Sequence, residues 1–126
     1  MRPLVVIESP YSGDTVANVA YLQRCIAHSI KMLEAPFASH QMYTIALDDE
    51  DPEQRILGIE CGYTWLRKAK YQAFYLDLGW SPGMVEAWRI GWAMKKPYHI
   101  RFLDRKATVN EVFRARPLGF HRRAEP

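Results

Sequence analysis

Apolar residues in this chain fall into short unbroken runs that alternate with longer stretches of helical period. Leu4-Val5-Val6-Ile7 is one such run, closed by Glu8-Ser9-Pro10, and has the form of a parallel strand buried on both faces. From about residue 15 to residue 33, Leu22, Cys25, Ile26, Ile30 and Leu33 recur at helical spacing, and Asp14 or Thr15 is placed to cap the first amides. Residues 34–40, which hold Pro36, read as a loop, and residues 42–47 as a less regular strand. Asp51-Pro52 followed by Gln54 marks a helix start of capping-box type, and that helix runs to about Lys68. Gly58 and Gly62 share one of its faces, a pattern that lets a neighbouring segment pack closely at some loss of helix propensity.

The alternation continues. Ala73-Phe74-Tyr75-Leu76 is the next strand and ends at Asp77-Leu78-Gly79. Ser81 and Pro82 start a helix that runs to about Met94 and is stopped by Lys95-Lys96-Pro97. A last strand covers residues 98–102, and residues 108–114 read as a short final helix. This order predicts a single-domain α/β three-layer sandwich with a 4–5-stranded, mainly parallel sheet of flavodoxin- or Rossmann-like type and right-handed crossovers. The expected organisation is an α/β domain over residues 1–105 and a short helix with a basic tail over residues 106–126.

Composition narrows the class. A chain of 126 residues holds one domain, and 48% hydrophobic with 25% charged residues excludes disorder over most of its length. The net charge of +3 is too small to argue for nucleic acid, and Arg114, Arg116, Arg122 and Arg123 read as a solvated terminus. Cys25 and Cys61 lie in no metal-type or CxxC spacing and read as reduced thiols. The first residues lack the apolar run of a signal peptide, and no stretch approaches the roughly 18 apolar residues of a membrane span. A cytoplasmic protein is expected.

Sheets of this type bind ligands outside the carboxyl ends of their strands, near the switch in strand order. Three loops qualify: residues 8–14, His40 with the acidic run Asp48-Asp49-Glu50-Asp51, and residues 77–83. The last opens a helix whose free amides and positive dipole end suit a phosphate or carboxylate. Within it Ser81 adds a hydroxyl, Gly79 and Gly83 relax the backbone beside Trp80, and Asp77 is placed to accept from sugar hydroxyls. Glu86 follows in the first turns. The plainer alternative is that Ser81 and Pro82 only start a helix and that Glu86 offsets its dipole.

In the first loop Glu8 stands out, because a carboxylate that ends an apolar strand is costly to bury without a partner. Ser9, Pro10 and Tyr11 follow it, and Tyr11 can stack on a base. GxGxxG and the P-loop lysine pattern are both absent. His40 is a candidate contact or a solvated loop histidine, and the acidic run reads as a solvated, dipole-favouring cluster rather than a cation site. Trp88 and Trp92, at helical spacing, read as core or as an oligomer contact. No Ser/His/Asp or Cys/His nucleophilic set can be assembled, and neither cofactor nor metal is expected.

Val5-Val6-Ile7-Glu8-Ser9-Pro10-Tyr11 resembles the first strand and loop of the nucleoside 2-deoxyribosyltransferase-like superfamily, an apolar strand ending in Gly-Pro-aromatic. Asp77-Leu78-Gly79-Trp80-Ser81-Pro82-Gly83, with Glu86, Gly91-Trp92-Ala93 and Lys96-Pro97, resembles its second signature. Ala35-Pro36-Phe37-Ala38-Ser39-His40 and Arg55-Ile56-Leu57-Gly58-Ile59-Glu60 are similar to a small, largely phage-encoded branch. The resemblance spans roughly residues 4–102. It implies cleavage or transfer at an N-glycosidic bond, in which a Glu attacks C1′ to form a covalent glycosyl intermediate.

Carried over, Glu86 is the nucleophile and Asp77 its sugar-binding or acid/base partner. Ser81 and nearby amides hold a 5′ hydroxyl or phosphate, and Arg89 pairs with Glu86 or a phosphate. Glu8, Ser9, Pro10, Tyr11, His40, Gly79, Trp80 and Gly83 complete the ligand-binding set. The chain departs from the pattern twice: the usual nucleophile position before the Lys-Pro turn falls on Ala87, next to Glu86, and Val6 stands where many transferases carry tyrosine. The implied partner is a nucleoside or nucleotide, with no membrane or nucleic acid, in a homo-oligomer. The competing function is a non-catalytic phage protein that sequesters an ADP-ribose-like or cyclic-nucleotide immune signal in the host cytoplasm.

Overall fold

Strands β1 (Leu4–Glu8), β2 (Ala35–Phe37), β3 (Tyr71–Tyr75) and β4 (Tyr98–Arg101) form one parallel sheet in the order β2-β1-β3-β4. The structure is a computed structural model and describes residues 1–104. Its helices are α1 (Thr15–Lys31), α2 (Ser39–Met42), α3 (Pro52–Lys68) and α4 (Pro82–Ala93), with a 3-10 turn, Tyr43–Ile45, after α2. This is the α/β three-layer arrangement that the alternating pattern predicts. The expected helix at residues 108–114 and the basic tail lie outside the described residues.

Central β1 is apolar on both faces because both are covered. Val5 and Ile7 pack with Tyr21, Leu22 and Cys25 of α1 and with Ala73 and Tyr75 of β3. Val6 points to the other side, against Leu66 and Ala69 at the end of α3. On that side Phe74 meets Met84 and Trp88 of α4. The chain steps from β1 out to β2 over α1, then back to β3 and β4 over α3 and α4. Opposite steps on opposite faces give the crossovers one hand, as twisted strands favour.

Caps form where the residue types direct them. Asp14 accepts from Ala17 N, Asp51 from Glu53 N, and Ser81 from Met84 N, with Pro52 and Pro82 in the first turns. Gln54 does not close a full capping box: its amide donates to Asp51 Oδ2 and its carbonyl accepts from Asp48 N. The rest of the acidic run is likewise engaged, Asp48 Oδ1 accepting from Glu50 N and Asp49 facing Arg55 at 3.5 Å.

Three local features differ from the pattern's reading. Residues 34–40 are not a loop throughout: Ala35–Phe37 pairs with β1 as an edge strand. An edge needs hydrogen bonds on one side only, so Pro36, lacking an N–H, is tolerated there. Residues 42–47 are not a strand. Thr44 Oγ1 donates to His40 O and Trp65 Nε1 to Tyr43 OH at 2.8 Å, which holds this segment in helical turns. The Gly58/Gly62 face packs on it closely; a Cβ at Gly62 would lie 3.2 Å from Ser39 Cβ.

The buried stripe of α1 is also rotated from the expected one. It consists of Asn18, Tyr21, Leu22, Cys25 and Ser29, while Ile30 and Leu33 are exposed. Two polar residues belong to that stripe because each finds partners. Asn18 Nδ2 donates to the carbonyls of Tyr11 and Ser12, and Ser29 Oγ donates to Glu34 Oε1 at 2.7 Å.

Under α1 lies a polar network centred on Glu34 and Arg101, 3% and 7% exposed. The guanidinium makes a two-pronged bond to the carboxylate, 2.7 Å to Oε1 and 2.6 Å to Oε2, and a third bond to Tyr75 OH at 3.0 Å. Tyr71 OH donates to Glu34 Oε2, and His28 Nδ1 meets Tyr75 OH at 2.9 Å. Burial alone raises the Glu34 carboxyl. The hydrogen bonds from Arg101, Tyr71 and Ser29 outweigh it and hold the group at about 2.

Candidate active site

β1 and β3 are neighbours, yet the chain leaves β1 toward β2 and crosses back to reach β3. Their carboxyl ends therefore open a crevice at the switch in strand order. A cavity of about 510 Å³ lies there, within the ~300–1,000 Å³ range of small-molecule sites. Val6 and Glu8 of β1 reach it from the sheet, Gly62, Tyr63 and Leu66 from α3, and Ser81, Gly83, Glu86 and Ala87 from the start of α4. Tyr11 and His40 stack on its border, with ring centroids 4.8 Å apart and planes inclined by 13°.

Strand alternation places Glu8 on the Val6 face, beside Gln72. Burial pushes its carboxyl up to about 8, against a weaker opposing pull from a hydrogen bond with Gln72. Gln72 is itself fully buried, and its Nε2 donates to Ala87 O of α4 at 3.0 Å. Room for it comes from Gly91, where an added Cβ would lie 2.7 Å from Gln72 Cδ. The Tyr63 hydroxyl is raised by burial, then by the nearby charges of Glu86 and Glu8. Two glutamates thus converge on one tyrosine.

The start of α4 offers fewer amides than a generic helix end. Pro82 has none, Met84 N–H goes to Ser81 Oγ at 3.2 Å, and Val85 N–H goes to Ser81 O at 3.0 Å. Gly83 contributes its amide and open space, since a Cβ there would meet only Ser81 Oγ, at 4.0 Å. Glu86 is exposed at the rim, and Ala87 is buried beside it. Burial lowers the His40 imidazole, Arg55 adds to the effect, and Asp49 opposes it.

Of the residues expected from sequence, Glu8, Tyr11, His40, Ser81, Gly83 and Glu86 border the cavity. Asp77 is not brought to it. Tyr21 OH donates to Asp77 Oδ1 at 2.5 Å and Leu103 N–H donates to both carboxylate oxygens, on the α1 side of the sheet. Burial raises the Asp77 carboxyl, but these bonds hold it below its ordinary range. Gly79, at φ +81°, forms the turn after β3, and Trp80 packs 5.1 Å from Phe74. Ser9 is buried, Arg89 is exposed, and neither they nor Pro10 line the cavity.

Sequence reasoning did not find Arg55, Tyr63 or the helical turns that follow Ser39. A signal was present. Arg55, Gly58, Gly62 and Leu66 recur at helical spacing, and that stripe of α3 lines the cavity.

The chain matches the family model described as Domain of unknown function (DUF7768) over residues 3–103. No curated protein matches it. Among solved structures it is similar to a 2-deoxyribosyltransferase from the psychrotolerant bacterium Bacillus psychrosaccharolyticus, a biocatalyst for nucleoside synthesis. The TM-score is 0.63 at 10% identity, over 90% of this chain and 82% of that one. The likeness shows a shared fold, of the kind the sequence motifs imply. No helix among the described residues is long and apolar enough to cross a membrane.

Proposed function

The chain belongs to the DUF7768 family, and we propose that this member binds a nucleoside or nucleotide in the β1/β3 cavity and acts on its N-glycosidic bond. The observation that carries the reading is the meeting of Glu8 and Glu86 in one cavity, at the switch point of a sheet folded like that of a 2-deoxyribosyltransferase. Glu86 is read as the nucleophile at C1′, and a covalent glycosyl ester is resolved by water or a second base. The Tyr11/His40 stack offers a flat face to a base. The Ser81 hydroxyl and Gly83 amide suit the 5′ end of the sugar, with Arg55 available to a phosphate. Asp77 supports the scaffold in this reading and does not touch the ligand.

The test is incubation with ribo- and deoxyribonucleosides and their 5′-monophosphates, with chromatography of the released base. Wild type is expected to release base and Glu86→Gln to lose nearly all of that activity. Undiminished release by Glu86→Gln removes Glu86 from the chemistry. Tight binding by wild type, with the ligand recovered intact after denaturation, establishes a binding protein instead, a reading favoured by Ala87 at the usual nucleophile position.

A further inference from the structure

The cavity holds a second glutamate to which the resemblance assigns no chemical step. Glu8 ends the central strand of the sheet, where its backbone is held in register with Phe74 of β3. Its side chain lies on the cavity face and takes no part in the ion pairs among the described residues, which are Arg24–Asp104, Arg55–Asp49 and Arg101–Glu34. Gln72 is shared between the two elements that carry the glutamates, bonding to Glu8 of β1 and to the Ala87 carbonyl of α4. Glu8 is half-buried at the strand end while Glu86 stands at the exposed rim. Two carboxyls set in such different surroundings are suited to different roles.

We propose that Glu8 is the proton donor to the departing base, acting as the acid opposite the Glu86 nucleophile. This rests on the N-glycosidic reading above and assigns the proton that it leaves unaccounted for. In the first step a bond forms between Glu86 Oε and C1′ as the C1′–N bond breaks. The electron pair of that bond leaves with the base, which takes the Glu8 proton. In the second step water attacks C1′, the ester to Glu86 breaks, and the proton from water passes to Glu8. Both carboxyls are restored, and the net change is nucleoside plus water to base plus free sugar. The half-buried strand-end setting, which raises the Glu8 carboxyl to about 8, supplies the acid form at the start.

The groups that act on or with Glu8 are Gln72 from β3 and Tyr63 from α3, and Glu86 of α4, Tyr11, His40, Arg55 and Asp49 line the same cavity. Glu8→Gln keeps the shape of the side chain and removes the acid. The experiment compares purine nucleosides with their N7-methylated counterparts, whose cationic base leaves without needing a proton. Glu8→Gln is expected to lower kcat/KM on the unmethylated nucleosides on the order of 100-fold and to leave the methylated ones nearly unchanged. The alkaline limb of the wild-type pH profile, near 8, should flatten in the variant.

Equal losses on both substrates, or no loss on the unmethylated ones, overturn the assignment. Absence of base release from either substrate by wild type instead overturns the N-glycosidic reading, and this proposal with it. Independently of turnover, carbon-13 NMR of glutamate carboxyls should show one titration near 8 that disappears in Glu8→Gln. Titration of every carboxyl in the ordinary range refutes the proposal.

Discussion

Arg101→Met removes the guanidinium from the buried network under α1 and leaves Glu34 with Tyr71 and Ser29 as its donors. Glu34 is 3% exposed, so water cannot replace what is lost. In the wild type the carboxyl is held at about 2 against an ordinary 4.5, which corresponds to about 3 kcal/mol at neutral pH. Its folded pKa lies below its unfolded one. That contribution is therefore full above the ordinary value and is lost as pH falls through the window down to the folded pKa. Breaking a buried pair from one side costs about 3–5 kcal/mol, against a typical total of about 5–15 kcal/mol.

The assay is urea unfolding of wild type, Arg101→Met, Glu34→Gln and the double variant, at neutral pH and at several acidic values. Arg101→Met should be strongly destabilised at neutral pH. Its deficit should shrink on acidification, because the stranded carboxyl, now raised by burial, takes up a proton. Wild type should lose stability only at lower pH, between the ordinary carboxyl value and about 2, and the double variant should recover part of the neutral-pH loss. A deficit that stays constant across pH, or a double variant no better than Arg101→Met, would refute the reasoning, since the uncompensated carboxylate would not be the cause.

Two further outcomes follow from the geometry. Gly91→Ala should destabilise by about 1–3 kcal/mol through overpacking as the new Cβ displaces Gln72, and Gln72→Ala in the same chain should relieve part of the loss in urea titrations. Asp77→Asn should lower stability by about 1–3 kcal/mol through the disrupted Tyr21 and Leu103 bonds while leaving KM for base release unchanged; a raised KM with intact stability would instead place Asp77 on the ligand.

The fold was legible where local chemistry and tertiary packing agree. Val5-Val6-Ile7 reads as a strand buried on both faces and is one, and the Asp14, Asp51 and Ser81 caps start helices where the sequence directs them. The edge strand was hidden because Pro36 argues against a strand anywhere except where one side needs no hydrogen bonds. The turns after Ser39 were hidden because their stability comes from Trp65 and the glycine face of α3, some twenty residues away. The site divides in the same way. Residues close to strand ends, such as Glu8 and Ser81, followed from the rule that ligands bind there. Tyr63 enters from the last third of a long helix, and Asp77 turns to the opposite face to satisfy Tyr21, an orientation that no spacing encodes.

The four-stranded sheet also acts as a partition. On the α1 side it shelters the Arg101–Glu34 network and the Tyr21–Asp77–Leu103 clasp, while the cavity opens on the side of α3 and α4. Asn18, which fastens the carbonyls of Tyr11 and Ser12, is where the two sides meet. Substitutions separated by the sheet and sharing no partner are expected to act additively. A lineage can therefore remodel what the cavity accepts while the α1 side carries the thermal margin, and it can adapt to temperature without altering what it recognises.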